Sequence, residues 1–591
     1  MIMKKFYQIF VVLMAFVMLL PSFAHASWDD ATKPGWDDEE ARKGWIQSKI
    51  QHMTLEEKIG QLFMVHVYGK TPTDPNYEDT NLSRNRGAKN FKEMIEKYHI
   101  GGVIYFNWTA NIGTPIDFEQ VNALSNGLQD IAMDQRMPIP LMIATDQEGG
   151  VVARVTEPAT VFPGNMALGA TRSTEYARQS SEIMGMELMN LGINMDLAPV
   201  LDVNVNPENP VIGVRSYSEN PDLVADMGAA QVQGYQNKNV MATAKHFPGH
   251  GDTNVDSHYG LPIINHDLET LHEVDLKPFK AAIDAGIDAI MPAHIVVPAL
   301  DDSGLPATLS KPILTDLLRE EMGFDGVIIT DSLGMSGANV VPADRVPVEA
   351  FKAGADILLN PPNVPLAYNA MLDAVKSGEI SEERLDESVF RILETKFKRG
   401  LFHEAGVSPD AIENIGLEEN LALADQMTED SITLVKNEGV LPLASENNVF
   451  VTGPSIGSPG MLADLLGERG ITADAYATST SPSSTQIANA VERAADFETV
   501  IVTTYTANTN SAQQRLVSEL KAAGKEVVVS SMRNPYDIMA FPEVDANVLT
   551  YGFRDVSVEA LAKVLTGEVN PTGKLPVTIP ELYPYGHGLS Y

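Results

Sequence analysis

Between about Ile59 and Pro361 the chain repeats one pattern eight times: a short, nearly unbroken apolar run, then a segment long enough for a helix. The runs are Ile59–Val67, Gly102–Phe106, Leu141–Thr145, Asn194–Val203, Met241–His246, Ala289–Ile295, Gly326–Asp331 and Asp356–Asn360. Strands read this way when they lie parallel and are covered on both faces. Eight such units predict a (β/α)8 barrel of the TIM type. The segment from Ser381 to about Asp430 is helical in pattern and charged like a solvated surface. A second alternating block, Asn448 to Thr566, carries runs at Val449–Thr452, Val500–Thr504, Val527–Ser531 and Val548–Tyr551. It predicts a smaller open αβα sandwich. Thr478–Thr485, rich in Ser and Thr, reads as a surface loop, and no internal repeat is found. The expected division is residues 27–400 as the barrel, 401–430 as a linking helical region and 431–591 as the sandwich.

Ionisable residues gather where the runs stop. Asp146 follows the third run, and Asp202 and Arg215 lie at or beyond the end of the fourth. Lys245 and His246 end the fifth, His294 the sixth and Asp331 the seventh. The C-terminal ends of barrel strands are where such a fold carries its chemistry. The segment Lys245-His246-Phe247-Pro248-Gly249-His250-Gly251-Asp252-Thr253, followed by Asp256-Ser257-His258, is broken by Gly and Pro yet dense in ionisable groups. That composition suits a site better than a core. Asp256 and His258 can pair across one residue, which would orient an imidazole for proton transfer. A proton donor with a separate carboxylate, Asp331, is the minimum equipment of a glycosidase.

The first 26 residues read as an export signal: a basic start over Met1 to Lys5, an apolar stretch from Phe6 to Leu20, then Ala24-His25-Ala26 before Ser27. The stretch is short for a membrane span, and an uncleaved anchor is the alternative. There is no cysteine, so an exported chain of this size would rely on its cores rather than on disulfides. The formal charge is −37. That excess repels phosphate backbones and argues against nucleic acid as a partner.

No cofactor or metal is expected. Gly453, Gly457 and Gly460 lack the dinucleotide-binding spacing, and Gly69-Lys70-Thr71 has Met64 where a phosphate loop needs glycine. His246 and His250 have a metal-ligand spacing, but Pro248 and Gly249 oppose the helix that would put them on one face. Asp146-Gln147-Glu148-Gly149-Gly150 with Arg154 either grips sugar hydroxyls through Asp146 and Arg154 or braces a loop through the same pair. Asn209–Ser216 reads as an extended loop ending in Arg215, with a surface salt bridge as the alternative role for that arginine. Asp325-Gly326 is a turn signal.

With those residues in view, the chain resembles glycoside hydrolase family 3, and within it the β-N-acetylglucosaminidases whose acid/base is an Asp–His pair. The motifs are Asp146–Gly150, Asn209–Ser216, Lys245–His258, Met291-Pro292-Ala293-His294 and Ile329–Ser332. In the second block, Ser431–Asn437, Asn570–Pro576 and Tyr585–Tyr591 also match. The resemblance implies Asp331 as nucleophile and His258 as acid/base, oriented by Asp256. It implies Asp146, Arg154, Arg215, Lys245 and His246 as ligands of a terminal N-acetylglucosamine. Val151 stands where many relatives of this branch carry arginine. The sequence ends at Tyr591, so the fibronectin-like third domain of many family glucosidases is not expected.

The implied activity is retaining, exo-acting removal of N-acetylglucosamine from peptidoglycan fragments or chitooligosaccharides by a secreted or wall-associated bacterial protein. The net negative charge suits small soluble fragments better than anionic wall polymers. An imidazole acid/base would not repel phosphate as a carboxylate would, which makes a phosphorylase the first alternative. A β-glucosidase of the same family and an exported sugar-binding protein without turnover are the others. Functional claims rest on sites rather than folds, so binding without turnover would single out the last.

Overall fold

The eight apolar runs fold as eight parallel strands: β1 (Phe63–Val65), β2 (Gly102–Ile104), β3 (Met142–Thr145), β4 (Met195–Asp196), β5 (Met241–Phe247), β6 (Ala289–Pro292), β7 (Val327–Ile328) and β8 (Leu358–Leu359). The protein is described by a computed structural model that covers residues 33–35, 38–445 and 447–591. The expected export signal lies outside these residues. Neighbouring strands pair in the order β7-β6-β5-β4-β3-β2-β1-β8. A bridge between Ile329 and Ile357 joins the two ends, with Ile357 N–H donating to Ile328 O and Thr330 N–H to Ile357 O at 3.0 and 2.9 Å. The sheet is thus an eight-stranded barrel of TIM type. Every residue of these strands is buried, which explains why the runs lack the alternation of a half-exposed sheet.

All the strands but β5 are shorter than the runs that announced them, and the first run shows why. Ile59 to Gln61 belong to a helix, Leu55–Gln61, whose start is set by a reciprocal cap between Thr54 and Glu57. An apolar run buried at a helix–strand junction looks continuous whichever element holds it.

The second block forms a six-stranded sheet from β9 (Thr433–Asn437), β10 (Asn448–Pro454), β11 (Thr472–Thr478), β12 (Thr499–Thr504), β13 (Glu526–Ser531) and β14 (Ala546–Leu549), in the order β11-β10-β12-β13-β14-β9. Only β9 runs antiparallel, against β14. Alternate residues feed separate cores: Val449 and Val451 pack under helices Pro459–Glu468 and Asp555–Leu565, while Phe450, Val500 and Val502 pack under helices Ser484–Arg493 and Ser511–Ala522. This is the expected αβα sandwich. Sequence reading did not find β9 or β11 as strands. Both are edge strands, and β11 in particular has only Thr478 buried, so it carries no apolar run. The surface loop expected from Thr478 to Thr485 is shorter than that, because Thr478 closes β11 and Ser483 caps the next helix.

Barrel and sandwich share a core. Met166, Ala167, Ala170 and Val214 pack with Val435, Tyr536, Leu549, Leu575 and Val577. Polar contacts stitch the rim: Glu219 N–H donates to Pro576 O at 3.1 Å, Lys574 N–H to Ala170 O at 3.0 Å and Arg554 Nε to Gly150 O at 3.0 Å.

Candidate active site

All eight barrel strands send a residue to one cavity. His66, Phe106, Asp146, Leu197, Lys245, Met291, Asp331 and Asn360 follow or lie near the C-terminal ends of β1 to β8 in turn, and all line a space of about 430 Å³. The volume is at the small end of the range for ligand sites. Asp146, Arg154, Arg215, Lys245, His246, His258 and Asp331, read from the sequence as site residues, all line it.

Its floor is a charge cluster. Lys245 Nζ donates to Asp146 Oδ1 at 3.0 Å and lies 2.8 Å from Glu148 Oε1. Arg215 grips Glu148 with two bonds, Nε to Oε2 at 2.9 Å and Nη2 to Oε1 at 2.8 Å. Arg154 Nη2 stands 3.7 Å from Asp146 Oδ2. Burial would raise the Glu148 carboxyl, but the charges and hydrogen bonds of Arg215 and Lys245 outweigh it and hold the group well below the usual carboxylate range. Arg215 therefore does not make the surface salt bridge considered from sequence. Its partner is buried, and the pair is bidentate. Loop bracing falls to Gln147, whose Oε1 accepts from Arg154 N and Val155 N at 2.8 and 3.0 Å. Asp146 and Arg154 are left facing the cavity.

Proton inventory shows what remains for a ligand. A lysine ammonium has three donors, and Lys245 directs two at carboxylates. A guanidinium has five, and Arg215 uses three, the third on Val211 O at 3.2 Å. The unspent donors, with the lone pairs of Asp146, match the mixed donor and acceptor character of sugar hydroxyls.

The histidine loop is fixed from below. Asp202, wholly buried, accepts from His246 N at 3.2 Å and His250 N at 2.7 Å, and its second oxygen is 2.7 Å from His246 Nδ1. Nδ1 must donate, so His246 turns Nε2 elsewhere. His250 Nε2 lies 3.0 Å from Ser257 Oγ, and burial lowers this histidine to about 4, leaving it neutral. A side chain on Gly251 would sit 1.7 Å from Val203 O, so only glycine lets the loop pass there. Beyond it, Asp256 Oδ1 accepts from His258 N at 2.9 Å and lies 2.7 Å from His258 Nδ1. The pairing expected between the two residues is thus formed. The His258 side chain is 53% exposed, at the cavity mouth.

Asp331 follows β7. Its Oδ1 accepts from Ser332 N at 2.6 Å. Burial pushes its pKa up, but His294, His246, the Ser332 N–H and Lys245 pull harder, and the net shift is down. His294 is buried and its pKa is lowered by that burial. Its Nε2 donates to Ser332 O at 3.0 Å, bracing the peptide next to Asp331.

The chain as a whole is matched by known proteins. Residues 54–395 fit the family model described as glycosyl hydrolase family 3 N terminal domain, and residues 432–591 fit the family's C-terminal domain. The chain belongs to glycosyl hydrolase family 3. It is 35% identical to a protein named beta-hexosaminidase A from Pseudoalteromonas piscicida, over 89% of this chain and 97% of that one. It is 30% identical to a beta-N-acetylglucosaminidase/beta-glucosidase from Cellulomonas fimi, over 90% and 95%. Among solved structures, a family 3 beta-N-acetylglucosaminidase from Paenibacillus sp. str. FPU-7 superposes with a TM-score of 0.82 at 38% identity, covering 89% of this chain and 99% of that one.

Several residues of this family 3 glycoside hydrolase's cavity were not found by sequence reading. Glu148 sits inside the Asp146–Gly150 motif, but nothing local shows that it holds both Arg215 and Lys245. His66 and Asn360 come from opposite ends of the barrel sequence. Asn360 Oδ1 accepts from His66 N and Nδ1 at 2.8 and 3.0 Å, and burial with Arg86 nearby lowers His66 to about 4. His66 is therefore neutral, with Nε2 as an acceptor. Trp108, 56% exposed, stacks on Phe106 at 4.7 Å and leaves its outer face at the mouth.

Proposed function

We propose that this protein is a retaining, exo-acting β-N-acetylglucosaminidase with Asp331 as nucleophile and His258 as acid/base. The observation that carries the reading is the pairing of Asp256 with His258 at the mouth of the cavity that Asp331 lines. Because Asp256 takes the Nδ1 proton, Nε2 is the nitrogen that exchanges protons with substrate. The small cavity is suited to one terminal sugar.

In the first step Asp331 attacks the anomeric carbon, forming a C–O bond while the glycosidic C–O bond breaks. His258 gives its Nε2 proton to the departing oxygen. In the second step neutral His258 takes a proton from water, the water oxygen bonds to the anomeric carbon, and the Asp331 carboxylate leaves. Two displacements return the β anomer. Asp146, Arg154, Arg215, Lys245 and His246 hold the sugar. The substrate class rests on the N-acetylglucosaminidase and hexosaminidase names of relatives that this chain matches over most of its length. Export and action on soluble wall fragments rest on the pattern of residues 1–26 and on the charge of −37.

The test is the steady-state rate on p-nitrophenyl β-N-acetylglucosaminide against the corresponding glucoside, with and without phosphate. A strong preference for the N-acetyl sugar and free N-acetylglucosamine as product are expected. Equal or faster cleavage of the glucoside would overturn the specificity. N-acetylglucosamine 1-phosphate as the main product would replace the hydrolase with the phosphorylase that a histidine acid/base permits.

A further inference from the structure

The histidine loop is braced by two groups that have no part in the displacement, His266 and Asp275. From Lys245 to Gly251 other residues fix it. Asp202 accepts from His246 N and His250 N, and Asn209 Nδ2 donates to His250 O at 2.9 Å and Gly251 O at 2.8 Å. Beyond Gly251 the chain becomes an arm, Asp252 to His258, that ends at the cavity mouth. Beside the contact of His250 with Ser257, two backbone bonds hold its tip: Gly337 N–H donates to Ser257 O at 3.2 Å and Ser336 N–H to His258 O at 3.4 Å. The root of the arm is held by side chains. Asp252 Oδ2 lies 2.9 Å from His266 Nε2, and Asn206 Nδ2 donates to Asp252 Oδ1 at 3.2 Å.

His266 bridges two carboxylates, because its Nδ1 is 2.7 Å from Asp275 Oδ2. An ionised carboxylate only accepts, so both ring nitrogens donate and the ring is an imidazolium. The hydrogen bond to Asp275 raises the His266 pKa in spite of partial burial, and Asp252 adds to the rise. The other charged groups nearby are acidic as well: Asp267 adjoins His266, and Asp202 faces Asp275. Asp275 ends a π-helical turn, Leu271–Asp275, and is buried. Its Oδ1 has no hydrogen-bond partner among the described residues, so His266 is what compensates this carboxylate. A side chain on Gly249 would come within 2.8 Å of Asp275 Cβ. Asp275 is therefore packed against the start of the histidine loop, and His266 ties the root of the arm to it. His266 sits on a fixed segment, since Ile264 N–H donates to Val296 O at 2.9 Å.

We propose that His266 is a positioning residue for the acid/base: its imidazolium clamps Asp252 to Asp275 and so sets where His258 stands relative to the departing oxygen. The inference rests on the assignment of His258 as acid/base. It divides the loop into a sugar-holding part anchored by Asp202 and a proton-transfer part anchored by His266.

The test compares kcat/KM on dinitrophenyl β-N-acetylglucosaminide, whose leaving group needs no proton, with kcat/KM on N,N′-diacetylchitobiose, whose leaving group does. The ratio of the two is taken within one preparation, so partial misfolding cancels from it. His266→Ala should raise the ratio about 10- to 100-fold in favour of the aryl glycoside, the scale of a misplaced catalytic group. His266→Gln, which keeps one donor, should raise it less. Asp252→Ala should act like His266→Ala, and the double variant should add little to either, because both break one clamp. Competitive inhibition by N-acetylglucosamine should keep its strength, since the sugar-holding part has its own anchor. If His258→Ala raises the ratio and His266→Ala leaves it unchanged, or slows both substrates equally, the proposal is overturned and the mechanism stands. Additive effects of the two clamp variants overturn it too. An unchanged ratio in His258→Ala removes the acid/base assignment and the proposal with it.

Discussion

Each ionisable group at the barrel mouth is set by its partners, and the consequences are measurable one residue at a time. In the proposed mechanism, His258→Ala removes the group that protonates the departing oxygen. Turnover of disaccharides should fall about 100- to 10,000-fold, the usual worth of general acid–base catalysis. Substrates with good leaving groups should suffer less in the first step, and stopped-flow release of p-nitrophenol checks this. Glu148 makes a different prediction. Its folded-state pKa is depressed, so its contribution to stability is complete above the unfolded value, about 4.3, and is lost only as pH falls through the lower folded value. Glu148→Gln leaves Lys245 and Arg215 buried without that carboxylate and should cost about 3–5 kcal/mol at neutral pH, read by urea denaturation. The variant should lose less stability than the wild type on acidification below pH ~4. The Asp–His pair was legible because both partners lie two residues apart. Glu148 and His66 were not, since their partners, Arg215 and Lys245 for the one and Asn360 for the other, come from strands far away in sequence and no local pattern encodes such meetings.

Among the elements, the helix Glu382–Lys398 buries a lysine against the barrel. Lys396 Nζ donates to Gln61 Oε1 and Gly101 O, both at 2.9 Å, and burial lowers its pKa to about 7. The unfolded chain holds this proton up to about pH 10. Between the two values the unfolded state binds more protons, so stability rises with pH across that window. Below about 7 the lysine is charged in both states and the rise stops. Subtracting the denaturation profile of Lys396→Met from that of the wild type should isolate a rise of ~1.4 kcal/mol per pH unit. A flat difference would mean that the lysine stays charged when folded. The same scale shows what sequence can reveal of elements. All eight barrel strands were legible because burial on both faces leaves unbroken apolar runs. Strands β9 and β11 escaped because an edge strand needs less apolar surface, and its pairing is set by a neighbour rather than by its own pattern.

For the molecule as a whole, the shared core around Met166, Val214, Tyr536 and Leu575 should couple the two sheets. The four tryptophans, Trp28, Trp36, Trp45 and Trp108, all precede the sandwich, whereas far-ultraviolet circular dichroism reports both halves. Coincident urea transitions by the two probes are expected. Separated transitions would show that the interface is too weak to bind the halves into one unit. The interface also adjoins the loop that carries Arg215 and braces the histidine loop.

The central claim, that Asp331 forms a covalent bond to the sugar while His258 manages the protons, is open to one direct measurement. The enzyme is incubated with a fluorinated N-acetylglucosaminyl donor whose good leaving group loads the enzyme and whose fluorine slows release. Its intact mass is then recorded and the label located by peptide mapping. A single added glycosyl mass on the peptide containing Asp331, absent from Asp331→Asn, is the predicted result. A label on another carboxylate, or no label together with release of the α anomer from an ordinary substrate, would contradict it.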